Sequence, residues 1–194
     1  MLALSSAAIA SAAEGPTGPD AGQKLIAEYT RAIAASPNNP ALYVERGHAY
    51  RNNQKRELAF ADFTRAIELS PAYVPAYVER ALAYYENKEY DAAQNDYDNI
   101  IRLDPENADA YFRRGACNYY KNELEAALED LDQSIELSPE RPGAYLVKGV
   151  CYQKSAHPEA AVAAYKALLA HVPAEEEEAR ELAKKLLQSL DAKR

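Results

Sequence analysis

Residues 67–71 read Ile-Glu-Leu-Ser-Pro, and closely similar stretches return at residues 101–105 (Ile-Arg-Leu-Asp-Pro) and 135–139 (Ile-Glu-Leu-Ser-Pro). Each stretch begins 34 residues after the one before it, and the same period connects five prolines: Pro37, Pro71, Pro105, Pro139 and Pro173. Proline cannot continue an α-helix and disfavours helical geometry in the residue before it. The period therefore predicts a helical repeat in which a helix ends before each of these prolines.

Two helical stretches can be distinguished within each period. The first carries an aromatic residue, with a base three positions and a small residue four positions after it: Tyr43, Arg46 and Gly47; Tyr77, Arg80 and Ala81; Tyr111, Arg114 and Gly115; Tyr145, Lys148 and Gly149. The second carries an alanine four residues before a large apolar residue: Ala59 and Phe63, Ala93 and Tyr97, Ala127 and Leu131, Ala161 and Tyr165. Spacings of three and four place these residues on one helix face. The small residues therefore predict a close approach of the two helices.

The 34-residue pattern of two helices resembles the tetratricopeptide repeat family over residues 40–173. It departs from the family pattern in having Tyr for the first Trp, a base for a Leu, and Asn118 for one Tyr. The resemblance implies an all-α fold, a right-handed solenoid of antiparallel helix pairs with terminal capping helices. The predicted segments are a half-repeat helix at 20–39, repeats at 40–73, 74–107, 108–141 and 142–175, and a C-terminal capping helix at 176–194.

The first 19 residues differ from the repeat in composition. Residues 1–13 (MLALSSAAIASAA) are apolar and small, like the end of a secretory signal, but no Lys or Arg occurs before Lys24. The stretch is a clipped signal, a signal with a misplaced start, or an Ala-rich tail. Residues 14–19 contain Gly and Pro and indicate a linker. A signal would make the protein periplasmic or secreted; without one, we expect it in the cytoplasm.

Composition argues against several classes of function. The 194 residues include 22 Lys and Arg and 30 Asp and Glu, a formal net charge of −8. Nucleic acid is therefore not an expected partner, since phosphate binding needs clustered bases. No run approaches the ~20 apolar residues of a membrane span. We find no catalytic motif and no His or Cys at metal-ligand spacing, so we expect no enzyme activity, cofactor or metal.

The two cysteines, Cys117 and Cys151, lie one period apart and therefore occupy the same position in adjacent repeats. Equivalent helices in a stack lie about 8–10 Å apart. A disulfide needs Cα atoms closer than about 7 Å. We therefore predict two buried thiols.

The resemblance implies a concave groove that is lined by the first helix of each repeat and binds a peptide or a partner protein. The matching positions form three rows: Val44, Val78, Phe112 and Leu146; His48, Leu82, Ala116 and Val150; and Arg51, Tyr85, Tyr119 and Gln153. For the first row, packing against neighbouring helices is the alternative. Tyr85, Tyr119 and Tyr120 do not recur in every repeat, and we predict that with Phe112 they form the dominant contact patch.

One branch of the family binds the terminal carboxylates of chaperone peptides through a Lys, two Asn, a second Lys and an Arg. The matching positions here are Val44, His48, Glu79, Asp109 and Arg113. Only the arginine is retained, so the sequence argues against this carboxylate clamp. The predicted function is a non-catalytic adapter or scaffold for protein–protein interaction. The alternative is a structural subunit of a larger assembly, such as one in the envelope or the secretory system.

The base in each first helix has two candidate acidic partners. Pairing within a repeat joins the first three bases to Asp62, Asp96 and Asp130 but leaves Lys148 opposite Ala164. Pairing with the preceding second helix gives each base an acid: Glu28–Arg46, Asp62–Arg80, Asp96–Arg114 and Asp130–Lys148. We favour this second arrangement, which predicts partly buried ion pairs between adjacent repeats.

Overall fold

The structure is a computed structural model, and it describes residues 19–192. Over these residues the chain forms ten helices and no strand, which confirms the all-α prediction. The helices are α1 (Pro19–Ala35), α2 (Pro40–Asn52), α3 (Arg56–Leu69), α4 (Val74–Glu86), α5 (Tyr90–Leu103), α6 (Ala108–Lys121), α7 (Leu124–Leu137), α8 (Pro142–Lys154), α9 (Pro158–His171) and α10 (Glu177–Asp191). The predicted signal-like segment and all of the predicted linker except Pro19 lie outside the described residues.

The periodic prolines follow the ends of the second helices. Helices α3, α5 and α7 end two residues before Pro71, Pro105 and Pro139. Prolines also begin helices, because the first turn of a helix needs no N–H from that residue. At α2, Pro40 occupies the first helical position, and the Asn39 side chain accepts a hydrogen bond from the Ala41 N–H at 3.1 Å.

The turn inside each helix pair contains a residue with positive φ. These residues are Gln54 (φ 58°), Lys88 (φ 64°), Asn122 (φ 68°) and Ala156 (φ 60°), and they follow the 34-residue period. Left-handed backbone favours glycine, and among other residues Asn adopts it most readily. None of the four is glycine, so the sequence did not mark this turn geometry.

The described residues form two compact units, 19–105 and 106–192. In the first unit, α2 pairs with α3 and α4 with α5, while α1 packs against α2 and α3 against α4. The buried side chains of this unit include Ala59, Phe63 and Ala66 on α3, and Ala81 on α4. Phe63 lies against Gly47 of the partner helix α2, so a small residue of one helix meets a large one of its partner, as the periodicity predicts.

The second unit contains the pairs α6 with α7 and α8 with α9, and α10 packs against α9 and α8. On α10, Ala183 and Leu190 are buried in a cluster with Tyr165 and Leu168 of α9. Leu182 on the same helix is 37% exposed.

Two glycines allow the close approach of paired helices. A Cβ atom at Gly149 would lie 2.2 Å from Cε1 of the buried Tyr165, and one at Gly47 would lie 2.5 Å from Cε1 of Phe63. Both distances are far below a normal contact. The rings of Phe63 and Tyr165 therefore occupy the space that a side chain at Gly47 or Gly149 would need.

Candidate functional site

Three of the four predicted first-row groove residues are buried, which corrects the prediction that they contact a ligand. Val44 is 6% exposed, Phe112 6% and Leu146 4%. Val44 packs in a cluster with Ala66 and Ala76, so the adjoining helices cover it. The alternative considered for this row is therefore correct for these residues, while the fourth member, Val78, stays half-buried.

Phe112 and Leu146 are covered by elements that follow them in the chain. Phe112 packs in a cluster with Val147 and other residues of α8, and its ring carbon Cζ would lie 2.9 Å from a Cβ atom at Gly143. Leu146 belongs to the cluster that α10 completes with Ala183. Because these side chains face the next helix, they stabilise the stack and cannot anchor a ligand.

In the unit of residues 19–105, the other predicted groove positions on α2 and α4 remain half-buried: His48, Arg51, Leu82 and Tyr85. The Arg51 guanidinium forms an ion pair with the Glu79 carboxylate at 3.0 Å, and both side chains are largely buried. The Tyr85 ring packs edge-on against Tyr90 with centroids 5.6 Å apart. This face therefore combines aromatic surface with a buried ion pair.

In the unit of residues 106–192, the predicted aromatic pair lies at the end of α6. The Tyr119 and Tyr120 rings pack edge-to-face with centroids 5.3 Å apart, and Tyr120 is 40% exposed. The Lys154 ammonium of α8 lies 4.9 Å from the centroid of the Tyr119 ring, within cation–π range. Burial raises the pKa of Tyr119 above its ordinary value. Val150, which lies on α8 like Lys154, is half-buried.

A charged cluster lies at the N-terminal ends of α6 and α8. The Asp109 carboxylate accepts hydrogen bonds from Arg113 at 2.5 Å and from Arg141 at 2.9 Å. The Arg141 guanidinium also lies 5.6 Å from the Phe112 ring centroid. Two cations around one carboxylate give these three groups together a net positive charge. Sequence reasoning selected Arg113 but missed Arg141, because Arg141 precedes α8 and belongs to no recurring position.

The structure contradicts the predicted pairing between adjacent repeats. Arg80 binds Asp96 of its own helix pair through two hydrogen bonds of 2.7 and 2.8 Å, and the Asp96 side chain is only 3% exposed. The same within-pair contacts join Arg46 to Asp62 at 2.7 Å and Arg114 to Asp130 at 2.6 Å. The predicted Glu28–Arg46 pair is likewise absent from the described residues, where Glu28 is exposed.

The geometry of an α-helix explains the error. The Arg80 guanidinium also donates a hydrogen bond to Thr64 Oγ1 of the preceding helix at 3.1 Å. Thr64 and Asp62 are two residues apart and so point about 200° apart around the helix axis. Asp62 therefore faces α2 within its own pair, and Thr64 faces α4. An acid at the Asp62 position can therefore pair with a base on α2 but not with one on α4.

Lys148 is the exception, because its own helix pair has Ala164, and no acid, at the corresponding position. Its ammonium pairs with Asp132 of the preceding helix, and not with the predicted Asp130. Asp132 lies at the position equivalent to Thr64, 16 residues before the base. The sequence therefore contained the signal for this contact, a residue 16 positions before each base, which our prediction overlooked.

The two cysteines are free and fully buried, which confirms the prediction of buried thiols. Burial raises the pKa of Cys117 to about 12 and that of Cys151 to about 11. Between residues 19 and 192, no group of three or more His, Cys, Asp and Glu side chains is placed to hold a metal ion. No helix of this described part has the length and apolarity that a membrane crossing requires.

Comparisons with known proteins agree with the repeat pattern. A family model described as tetratricopeptide repeat matches residues 78–142 and 118–176, and a second model with the same description matches residues 40–73. No curated protein matches the chain significantly by sequence.

Solved structures share the fold. A crystal structure of MamA is 24% identical, covers 83% of this chain and 92% of its own, and superposes with a TM-score of 0.74. YrrB, described as a TPR protein with an unusual peptide-binding site, is 21% identical, with coverages of 84% and 90% and a TM-score of 0.66. The first TPR of Spaghetti (RPAP3), bound to the HSP90 peptide SRMEEVD, is 26% identical, with coverages of 61% and 94% and a TM-score of 0.58.

Proposed function

Because this chain belongs to the tetratricopeptide repeat family, we propose that it is a non-catalytic adapter that binds a peptide or a segment of a partner protein. The exposed faces of the first helices provide the binding surface. The observation that carries this proposal is the aromatic pair Tyr119 and Tyr120, which stays accessible at the end of α6.

The aromatic pair has the properties of an interface anchor. Tyrosine contributes large contact area with few rotatable bonds, and Tyr is enriched among residues that dominate binding energy. Only three large apolar or aromatic side chains are exposed within residues 21–192, namely Leu58, Tyr120 and Leu182. Tyr120 is the only one of these on a first helix of a repeat, where the family binds its ligands.

The binding mode we propose differs from the carboxylate clamp. At the clamp positions, Glu79 is neutralised by Arg51, and Arg113 already donates to Asp109. YrrB and the Spaghetti domain are both described with peptide-binding sites or bound peptides, which supports a peptide as the ligand class. Contacts to aromatic and apolar side chains would then replace the recognition of a terminal carboxylate.

Peptide selection tests this function with random peptides in place of the natural partner. The peptides are displayed on phage and selected on the full chain, and the dissociation constant of a selected peptide is measured by fluorescence anisotropy. We expect Tyr120→Ala to weaken binding at least about tenfold, since a central aromatic anchor contributes ~2 kcal/mol or more. The matched control is Leu58→Ala, which removes an exposed apolar side chain from the second helix α3.

Both variants must keep the helical circular dichroism of the parent chain. An equal loss of affinity in the two variants, or no loss in Tyr120→Ala, would contradict the proposed binding face. Failure to select any peptide that binds the parent chain would contradict the adapter function itself.

A further inference from the structure

A cleft of about 410 Å³ opens between the first two helix pairs, within the unit of residues 19–105. We call it the Asn87 cleft, and it is lined by Arg51, Gln54, Arg56, Ala59, Ala83, Glu86 and Asn87. The C-terminal ends of α2 and α4 and the first turn of α3 form its walls. None of these residues except Arg51 belongs to the groove positions that the family resemblance implied.

The Asn87 side chain distinguishes this cleft from the equivalent places in other repeats. In the first repeat, Asn53 Nδ2 donates to the Ala49 carbonyl at 2.8 Å, and in the fourth repeat Ser155 Oγ donates to the Cys151 carbonyl at 3.0 Å. Asn87 occupies the same position in the second repeat, but its Nδ2 atom is buried and has no hydrogen-bond partner among the described residues.

A buried donor without a partner costs free energy, commonly about 1–3 kcal/mol, unless a ligand or water satisfies it. A partner inside the helix would be the carbonyl four residues before the asparagine, and the Asn53 amide binds such a carbonyl at the equivalent position. The amide of Asn87 instead lines the cleft together with Ala83, the residue whose carbonyl it could have bound. An acceptor that reaches Asn87 from the cleft would therefore satisfy a donor that no described residue satisfies.

The charges around the cleft define the group that fits. Arg51 is already neutralised by Glu79 at 3.0 Å. The Arg56 guanidinium makes no ion pair or hydrogen bond with any described residue, and it begins α3 on the cleft wall. Arg56 and the Asn87 amide thus supply donors for one planar, singly charged acceptor. Glu86 at the rim opposes a second negative charge, so a carboxylate fits better than a phosphate dianion.

We propose that the Asn87 cleft binds the carboxylate of an Asp or Glu side chain in the partner peptide. Arg56 and Asn87 Nδ2 donate to its oxygens, while Arg51 stays paired with Glu79 beside them. The inference rests on the proposed function, which takes the exposed faces of the first helices, among them α2 and α4, as the binding surface. It adds a requirement that the adapter function alone does not impose, an acidic residue in the bound segment.

A blocked amino acid tests the site directly. The ¹⁵N-labelled full chain is titrated with N-acetyl-glutamate N-methylamide, and shifts are followed at the Asn87 side-chain amide by NMR. N-acetyl-glutamine N-methylamide is the neutral matched probe, and inorganic phosphate is a third arm. We expect the glutamate compound to shift the Asn87 amide saturably, with the glutamine compound and phosphate producing smaller effects.

Variants identify the residues that bind the probe. Arg56→Gln should weaken binding of the glutamate compound by about tenfold, because it removes a charge-assisted hydrogen bond. Arg65→Gln makes the same change on the exposed surface of α3 and should leave binding within about twofold, the effect of lost long-range attraction alone. Asn87→Ala should also weaken binding, while Arg56→Gln, which breaks no contact within the described residues, guards against a loss caused by misfolding.

The inference is overturned if the glutamate compound does not shift the Asn87 amide, if phosphate shifts it more strongly, or if Arg65→Gln weakens binding as much as Arg56→Gln. Its failure is distinguishable from failure of the proposed function. In that case a phage-selected peptide still binds the chain and still depends on Tyr120, and only the assignment of a carboxylate to the cleft is lost.

Discussion

Arg46 and Arg80 each connect three helices through one planar side chain. Arg80 donates two bonds to Asp96 within its pair and one to Thr64 on the helix before it. Arg46 repeats the arrangement with Asp62 and Thr30. The hydrogen bonds to Asp96 raise the pKa of Arg80 above its ordinary value, since they favour the charged form. This side chain therefore stays a cation at neutral pH.

Removing the acid from this arrangement should destabilise the chain more than removing both charges. In Asp96→Ala, the guanidinium of Arg80 keeps its partly buried place without a counter-charge, which can cost as much as ~3 kcal/mol. The double variant Asp96→Ala/Arg80→Leu has no buried charge left and should recover part of that loss. Urea denaturation of both variants measures the free energies of unfolding.

The matched control is Glu68→Ala, which breaks the exposed pair with Arg65. We expect little change there, because solvent screens exposed ion pairs. A loss in Asp96→Ala no greater than in Glu68→Ala would show that the buried pair does not stabilise the fold.

At the level of elements, α10 ends the second unit by covering the apolar face of α8 and α9. Ala183 and Leu190 enter that cluster, while Leu182 on the same helix stays 37% exposed. Arg180 adds a polar contact, since one of its Nη atoms donates to the Leu169 and Val172 carbonyls at 2.9 and 2.6 Å. These carbonyls lie at the C-terminal end of α9, where a helix leaves acceptors unsatisfied. The capping helix thus supplies both apolar cover and hydrogen-bond donors.

Two leucines of α10 should therefore respond differently to truncation. Leu190→Ala removes a buried side chain and should lower the free energy of unfolding by about 2 kcal/mol, at the low end for a core leucine. Leu182→Ala removes the same atoms from an exposed position and should change it by less than about 0.5 kcal/mol. Urea denaturation followed by circular dichroism compares the two, and equal effects would contradict the packing of α10.

For the molecule as a whole, alkaline pH should act through the two buried thiols. Cys117 and Cys151 occupy the position that holds Ala49 and Ala83 in the first two repeats. An unfolded thiol has a pKa of about 8.5. Burial raises the pKa of Cys117 to about 12 and that of Cys151 to about 11, so the folded chain keeps both protons longer than the unfolded chain.

The stability that the protonated thiols contribute is therefore fully present below the unfolded pKa and is lost as pH rises above it. Between about pH 8 and pH 10, the free energy of unfolding should fall by roughly 2 kcal/mol for each thiol, or roughly 4 kcal/mol in all. Urea denaturation across these pH values measures the slope, and Cys117→Ala/Cys151→Ala, which restores the residue of the other repeats, should flatten it. An unchanged slope in the double variant would exclude the thiols as its cause.

The sequence alone determined the helical repeat and its internal packing. Five prolines at one period predicted where helices end, and the small residues at Gly47 and Gly149 predicted where helices approach. It also predicted the buried thiols, because both cysteines share one position of the period. These features could be predicted because each depends on backbone geometry and helical spacing, which are properties of short stretches of chain.

Only the tertiary structure determined which neighbouring helix each side chain contacts. The sequence could not separate Asp62 from Asp96 as the partner of Arg80, because both lie on helices next to α4 and only the rotation of each helix decides which carboxylate faces the arginine. It likewise could not show that Phe112 is covered or that the Asn87 amide nitrogen is buried without a hydrogen-bond partner among the described residues. Contacts of this kind depend on the relative rotation and approach of helices that are distant in the chain. A linear pattern records which residues share a face, but packing alone determines what that face meets.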